Sequence, residues 1–210
     1  MPRIVIINSG NANISSVYKA VKAVLPDTEV SDNRQKIKNA RAVIFPGVGS
    51  FQHTADIITK NGLRDTLLEL LNGKKPFLGI CLGMQLLMSE SEESAHADSP
   101  VEGLAAIPGK VKIFTGSLTV PHVGWNTVKP LYDHPLFTGL EKETYFYFTH
   151  SYFAQPDNNE HILAKTPYGH SFVSALACEN QMGVQFHPEK SGKAGLRLFS
   201  NFGKIIADQY

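Results

Sequence analysis

Along the first eighty or so positions, short unbroken apolar runs alternate with stretches where apolar residues recur every three or four positions. Ile4-Val5-Ile6-Ile7 is a continuous β-branched run, the pattern of a central parallel strand covered on both faces. It ends at Asn8-Ser9-Gly10. Ile14, Val17, Tyr18, Val21, Val24 and Leu25 then follow helical steps, with Asn13 as the N-cap and Pro26-Asp27 as the stop. Arg41-Ala42-Val43-Ile44-Phe45 reads as a second buried strand, closed by Pro46-Gly47. Helical spacing returns from Phe51 to Leu71, broken near Asn61-Gly62. Pro76-Phe77-Leu78-Gly79-Ile80 is a third strand, and Leu82 to Met88 reads as a helix. The pattern changes after that. Lys110 to Phe114, Tyr145 to Phe148 and Phe172 to Ala175 look like strands between Pro, Gly and Asn turns, and a closing helix runs from about Lys193 to Ile206. The expected fold is α/β, an open, mostly parallel, doubly wound sheet with antiparallel strands added in the second half. No repeat, low-complexity tract or long linker divides it, so residues 1–210 are expected to form a single domain.

Composition narrows the function classes. The 210 residues are 42% apolar and 19% charged, with a formal net charge of +1, and no Lys/Arg-rich block marks a nucleic-acid or membrane surface. The acidic run Ser89-Glu90-Ser91-Glu92-Glu93 reads as a solvated loop rather than a binding site. Two cysteines, Cys81 and Cys178, do not make a disulfide framework. The N-terminus reads as a first strand rather than a signal peptide. No apolar stretch approaches the ~20 residues of a membrane span. The expectation is a cytoplasmic protein. No metal cluster, dinucleotide fingerprint or Walker A loop is evident, so no cofactor is expected.

Three segments could carry chemistry. Gly79-Ile80-Cys81-Leu82-Gly83, between a buried strand and a helix, has the spacing of a nucleophile elbow with Cys in place of Ser. Such a turn lifts the thiol at the carboxyl end of the sheet, where open α/β folds place ligands. The following helix N-terminus favours thiolate and can face a developing oxyanion. The same five residues also fit a buried structural cysteine beside a glycine turn. Near the C-terminus, Gly183-Val184-Gln185-Phe186-His187-Pro188-Glu189 sets His187 and Glu189 two apart, on one side of an extended chain. Glu189 can hold one ring nitrogen of His187 while the other faces Cys81. Alone, that histidine fits a surface position beside a Pro turn. Of the other histidines, His53, His96, His134, His161 and His170 lie in polar contexts. His122 and His150 sit among aromatic and glycine residues, as candidates for lining a site or for packing. Pro46-Gly47-Val48-Gly49-Ser50 can offer backbone N–H groups to an anion or serve as an ordinary βα turn.

Together and in this order the three segments resemble the class I glutamine amidotransferase family. Within it, Glu102-Gly103-Leu104 with Ile107-Pro108-Gly109, Pro121-His122-Val123-Gly124-Trp125-Asn126, Tyr147-Phe148-Thr149-His150-Ser151-Tyr152 and Lys190-Ser191 look like the glutaminase subunits of imidazole glycerol phosphate synthases. The opening Asn8-Ser9-Gly10-Asn11-Ala12-Asn13-Ile14 departs from the family's usual Asp-Tyr-Gly and Gly-Asn-Leu pattern.

The resemblance implies a Cys81, His187 and Glu189 triad. It also implies an oxyanion hole from the Leu82 N–H and the Val48-Gly49 segment, and glutamine contacts at Gly47, Gln85, Ser151 and Tyr152. It implies a (β/α)₈-barrel cyclase partner that receives ammonia, with Asn13, His122, Trp125, Asn126 and Lys190 at the interface. It further implies that Val48 turns its N–H toward substrate only when the partner is engaged, so that the isolated chain hydrolyses glutamine poorly. Three alternatives remain: a glutaminase for another synthase, a stand-alone γ-glutamyl cysteine hydrolase, and a non-catalytic binding module.

Overall fold

The computed structural model describes residues 4–10, 13–73, 75–93 and 100–209. Asn11, Ala12 and His96 lie outside the described residues. The first half runs β1 (Ile4–Ile7), α1 (Ile14–Val24), β2 (Thr28–Ser31), α2 (Arg34–Asn39), β3 (Ala42–Gly47), α3 (Phe51–Lys60), α4 (Leu63–Asn72), β4 (Phe77–Cys81) and α5 (Leu82–Gln85). The second half runs β5 (Glu90–Ser91), β6 (Val101–Glu102), β7 (Gly109–Ile113), β8 (His122–Pro130), β9 (Thr144–His150), β10 (Tyr152–Pro156), β11 (Ile162–Tyr168), β12 (His170–Cys178), β13 (Gln181–Val184) and α6 (Gly192–Ala207).

These strands join one sheet whose main path is β2-β1-β3-β4-β13-β12-β10-β7-β5-β6, with β11 bridging β12 to the β8–β9 hairpin. The centre, β2-β1-β3-β4-β13, is parallel. Beyond β13 the pairings turn antiparallel through β12, β10 and β7. The four-residue run of β1 is fully buried because it sends alternate side chains to opposite faces. Ile4 and Ile6 join Val17 and Val21 of α1 and Leu198, Phe199 and Phe202 of α6. Val5 and Ile7 join Ile37 of α2, Phe51 and Ile58 of α3, and Leu67 of α4. Helices therefore cover both faces of the parallel half.

Three boundaries matter for the site. Asn13 caps α1 through its side chain, which accepts from the Ser16 N–H. The α3–α4 break falls at Asn61 and at Gly62, which has φ 66°. The helix after Cys81 is shorter than its spacing suggests, ending at Gln85 rather than Met88. The carbonyls of Leu86, Leu87 and Met88 accept instead from the N–H groups of Leu104, Ile107 and Ala105. A loop distant in sequence thus takes the acceptors that a continuing helix would use.

Candidate active site

Cys81 is the last residue of β4 and immediately precedes α5. It adopts φ 54° and ψ −109°, a conformation costing about 1–3 kcal/mol for a residue with a side chain. The turn is this tight because the backbone behind it is crowded. A Cβ on Gly83 would sit 1.8 Å from the Phe45 carbonyl oxygen, so only glycine lets the elbow close onto β3. β3 pairs in parallel with β4, setting Gly47 beside Cys81. Val48 and Gly49 thereby leave the sheet next to the Cys81 turn.

Cys81 lines a cavity of about 270 Å³ together with Val48, Gly49, Leu82, Gln85, Glu93 and the segment from Thr149 to Tyr152. Of the residues expected at the site, Val48, Gly49, Leu82, Gln85, Ser151 and Tyr152 all reach this cavity. Gly47 stands beside it at the end of β3.

His187 follows β13 on the neighbouring strand line. Its Nδ1 lies 2.8 Å from Glu189 Oε1, and both side chains are 2% exposed. Glu189 can only accept, so Nδ1 carries the proton and Nε2 is the nitrogen left with a free lone pair. Nε2 is buried without a hydrogen-bond partner among the described residues. Burial opposes the charged ring. The nearby Cys81 sulfur and the hydrogen-bonded Glu189 carboxylate outweigh it, raising the His187 pKa to about 10. The ring is thus suited to take a proton from sulfur and keep it. Its backbone is clamped to β9: the His187 N–H donates to the Tyr147 carbonyl at 2.8 Å, and the Ser191 hydroxyl donates to the His187 carbonyl at 2.6 Å. Neither cysteine is in a disulfide.

A second polar line runs from the β8–β9 hairpin into the cavity wall. The Tyr152 carbonyl can only accept, so His150 Nδ1 donates to it at 2.7 Å. His150 Nε2 then accepts from His122 Nδ1 at 3.0 Å, and His122 Nε2 accepts from Asn126 Nδ2 at 3.3 Å. Both rings are neutral at neutral pH: burial lowers His122 to about 4 and His150 to about 3. His122 therefore departs from its expected place on a partner-facing surface. It is 3% exposed and points inward, because alternation along β8 sends Val123 and Trp125 outward and His122 the other way. Asn126 also donates to the Pro167 carbonyl at 2.8 Å, so its amide is engaged within the chain. Trp125 is 56% exposed and meets Tyr147 edge-on, while Lys190 Nζ stands 5.3 Å from the Tyr147 ring. Those two expected interface residues share an exposed patch. Asn13 is exposed at the start of α1, which packs on the Pro188–Lys190 turn.

Two residues at the site were not singled out from the sequence. Gln185 is fully buried, and its Nε2 lies 3.5 Å from Cys81 Sγ. Its signal was available, since it stands two before His187 in an extended segment. Glu93 belongs to the acidic run read as a solvated loop. The structure corrects that reading: Glu93 lines the cavity, and its Oε2 accepts the Phe51 N–H at 2.9 Å. Burial raises its pKa, and the Phe51 hydrogen bond opposes that. Among the described residues no helix is long and apolar enough to cross a membrane, and no group of three or more His, Cys, Asp or Glu could hold a metal ion.

A family model described as Glutamine amidotransferase class-I matches residues 5–205. The imidazole glycerol phosphate synthase subunit HisH of Vibrio cholerae is 46% identical over 202 residues, 95% of this chain and 97% of that one. Its namesake from Methanothermobacter thermautotrophicus is 43% identical over 203 residues, 97% and 98% of the two chains. Among solved structures, PurLQS from Thermotoga maritima superposes with a TM-score of 0.72 at 15% identity, over 97% of this chain and 98% of that one. The glutaminase domain of Trypanosoma brucei CTPS with bound acivicin gives 0.64 at 16% identity, over 99% and 94%. At such identities the structures speak for the fold alone.

Proposed function

The chain belongs to the class I glutamine amidotransferase family, and from that premise we propose that it is the glutaminase subunit of an imidazole glycerol phosphate synthase. It hydrolyses glutamine and passes ammonia to a (β/α)₈-barrel cyclase. The observation that carries this reading is the buried His187–Glu189 pair at 2.8 Å, coupled to a Cys81 that lines a cavity sized for an amino acid.

Glutamine enters with its amide beside Cys81. Gln85, Ser151 and Tyr152 hold the amino-acid portion, and the Glu93 carboxylate offers the opposite charge to its α-ammonium group. The Cys81 thiolate attacks the amide carbon, forming the C–S bond as the carbonyl π pair moves to oxygen. That oxyanion meets the N–H of Leu82 and a backbone N–H of the Gly47-Val48-Gly49 segment. In comparable sites one such donor is worth about 10²–10³ in rate. His187 gives its proton to the leaving nitrogen, the C–N bond breaks and ammonia departs. His187 then takes a proton from water, whose oxygen attacks the thioester and releases glutamate and Cys81. Glu189 fixes the ring tautomer throughout.

The patch of exposed Trp125 and Lys190 around half-buried Tyr147 suits a partner subunit, and it lies one backbone hydrogen bond from His187. The test is glutamate release by the chain alone and with the cyclase and its nucleotide ligand. Strong acceleration by the cyclase, abolished in Cys81→Ala, is expected. Brisk turnover that ignores the cyclase would instead favour a stand-alone hydrolase.

A further inference from the structure

We propose that Gln185 is a further catalytic residue, donating a hydrogen bond to the Cys81 sulfur that holds it as thiolate and aims it at the cavity. Gln85 Nε2 lies 2.9 Å from the Tyr152 carbonyl oxygen and 3.0 Å from Gln185 Oε1. A carbonyl only accepts, so the Gln85 atom is the nitrogen, and both of its hydrogens are spoken for. Its second partner must be an acceptor, which fixes Gln185 with its oxygen toward Gln85. The Gln185 NH₂ is then left facing Cys81 Sγ at 3.5 Å. The backbone of Gln185 is held as well, because its N–H donates to the Ser174 carbonyl at 2.9 Å. The Tyr152 carbonyl that starts the chain also accepts from His150, so both its lone pairs are occupied and its direction is set. None of these amides can turn over without breaking a buried hydrogen bond.

The placement separates this role from substrate binding. Gln85 lines the cavity, whereas Gln185 is fully buried and is not part of the cavity wall. His187 approaches the thiol as the proton acceptor, and Gln185 supplies a neutral donor that survives after the proton has moved. A hydrogen bond to a charged group is stronger than one to a neutral group. The Gln185 contact therefore favours the thiolate over the thiol and over the thioester sulfur, which carries less charge.

The experiment compares unaltered chain with Gln185→Met, an unbranched side chain of similar length with no donor, in the complex with the cyclase. Two quantities are read: the rate at which iodoacetamide alkylates Cys81 at pH 7, with peptide mapping to separate it from Cys178, and kcat and KM for glutamine. Alkylation and kcat should each fall roughly tenfold, the scale of one lost hydrogen bond to a charged group, while KM stays close to its original value. A merely structural role would raise KM through displaced Gln85 and leave alkylation unchanged, and that pattern overturns the proposal. Should Gln185→Met fail to fold, Gln185→Leu removes the donor without adding a charge, and the same fall in alkylation is expected. The inference rests on the proposed glutaminase reaction only for its kcat arm. Alkylation needs no glutamine, so absent turnover in the unaltered complex would sink the function and leave the Gln185 test intact.

Discussion

Replacing Glu189 by Gln keeps the shape of the side chain and removes its charge. In the structure that charge lies 2.8 Å from the His187 ring, with both side chains 2% exposed, so water screens little of the interaction. A hydrogen bond to a charged group contributes about 1.5–3 kcal/mol and a neutral one about 0.5–1.5 kcal/mol. The imidazolium therefore loses about 1–2 kcal/mol of stabilisation, which at 1.36 kcal/mol per tenfold is a fall in kcat of about 5–30-fold. If the new amide presents its NH₂ to Nδ1, the wrong tautomer forms and the loss is larger. Glu189 does not line the cavity, so KM for glutamine should hardly move. The pH dependence of stability should change too. A His187 pKa raised to about 10 stabilises the fold fully below the ring's unfolded value near 6.5, and this is lost as pH rises through 10. In Glu189→Gln the folded value is lower, so that loss is smaller and is complete at lower pH. The assay is glutamate production by the complex at saturating glutamine, alongside urea unfolding from pH 7 to 10. A kcat within about twofold of the unaltered protein would refute the reasoning, since a buried charge on the base would then do nothing in the reaction.

Other outcomes follow from the same geometry. Gly83→Ala places a Cβ 1.8 Å from the Phe45 carbonyl oxygen, and overpacking of this kind costs about 1–3 kcal/mol or more. The urea midpoint should fall accordingly, and an unchanged midpoint would mean that β3 and the nucleophile turn are not in close contact. Burial lowers His122 to about 4 and His150 to about 3, from an ordinary value of 6.5. The unfolded chain binds more protons between those limits, so both rings contribute stability above pH 6.5 that is lost as pH falls toward 4. His122→Leu should flatten the fall in stability between pH 7 and 5, and equal slopes for the two proteins would contradict a buried neutral pair.

The sequence made parts of this molecule legible for physical reasons, and hid others for equally physical ones. The β1 run is read easily because a strand covered on both faces has no polar alternation to blur it, and the α3–α4 break is announced by Asn61-Gly62. The short β2 and α2 escaped notice, since a four-residue strand and a six-residue helix with only Ile37 buried carry little periodicity. The helix after Cys81 is shorter than its spacing predicts because its competing donors lie at Leu104 to Ile107, outside any local window. β8 was missed because its burial is interrupted: Gly124 has φ 136° and only His122 and Val128 are buried. Cys81, His187 and Glu189 stand out only when the three segments are taken together as a resemblance to the family, since each segment alone also fits a structural reading. Glu93 does not stand out, because its partner Phe51 lies 42 residues away and nothing local marks one glutamate of an acidic run as turned inward.

The central claim is that glutamine chemistry takes place on Cys81, and a glutamine analogue bearing an electrophile at the amide position tests it directly. The complex is incubated with the analogue, digested, and the two cysteine-containing peptides are weighed. The expected result is a single adduct on Cys81, prevented by excess glutamine and absent when Cys81 is replaced by Ala. An adduct on Cys178, or labelling of Cys81 that glutamine does not prevent, would contradict it.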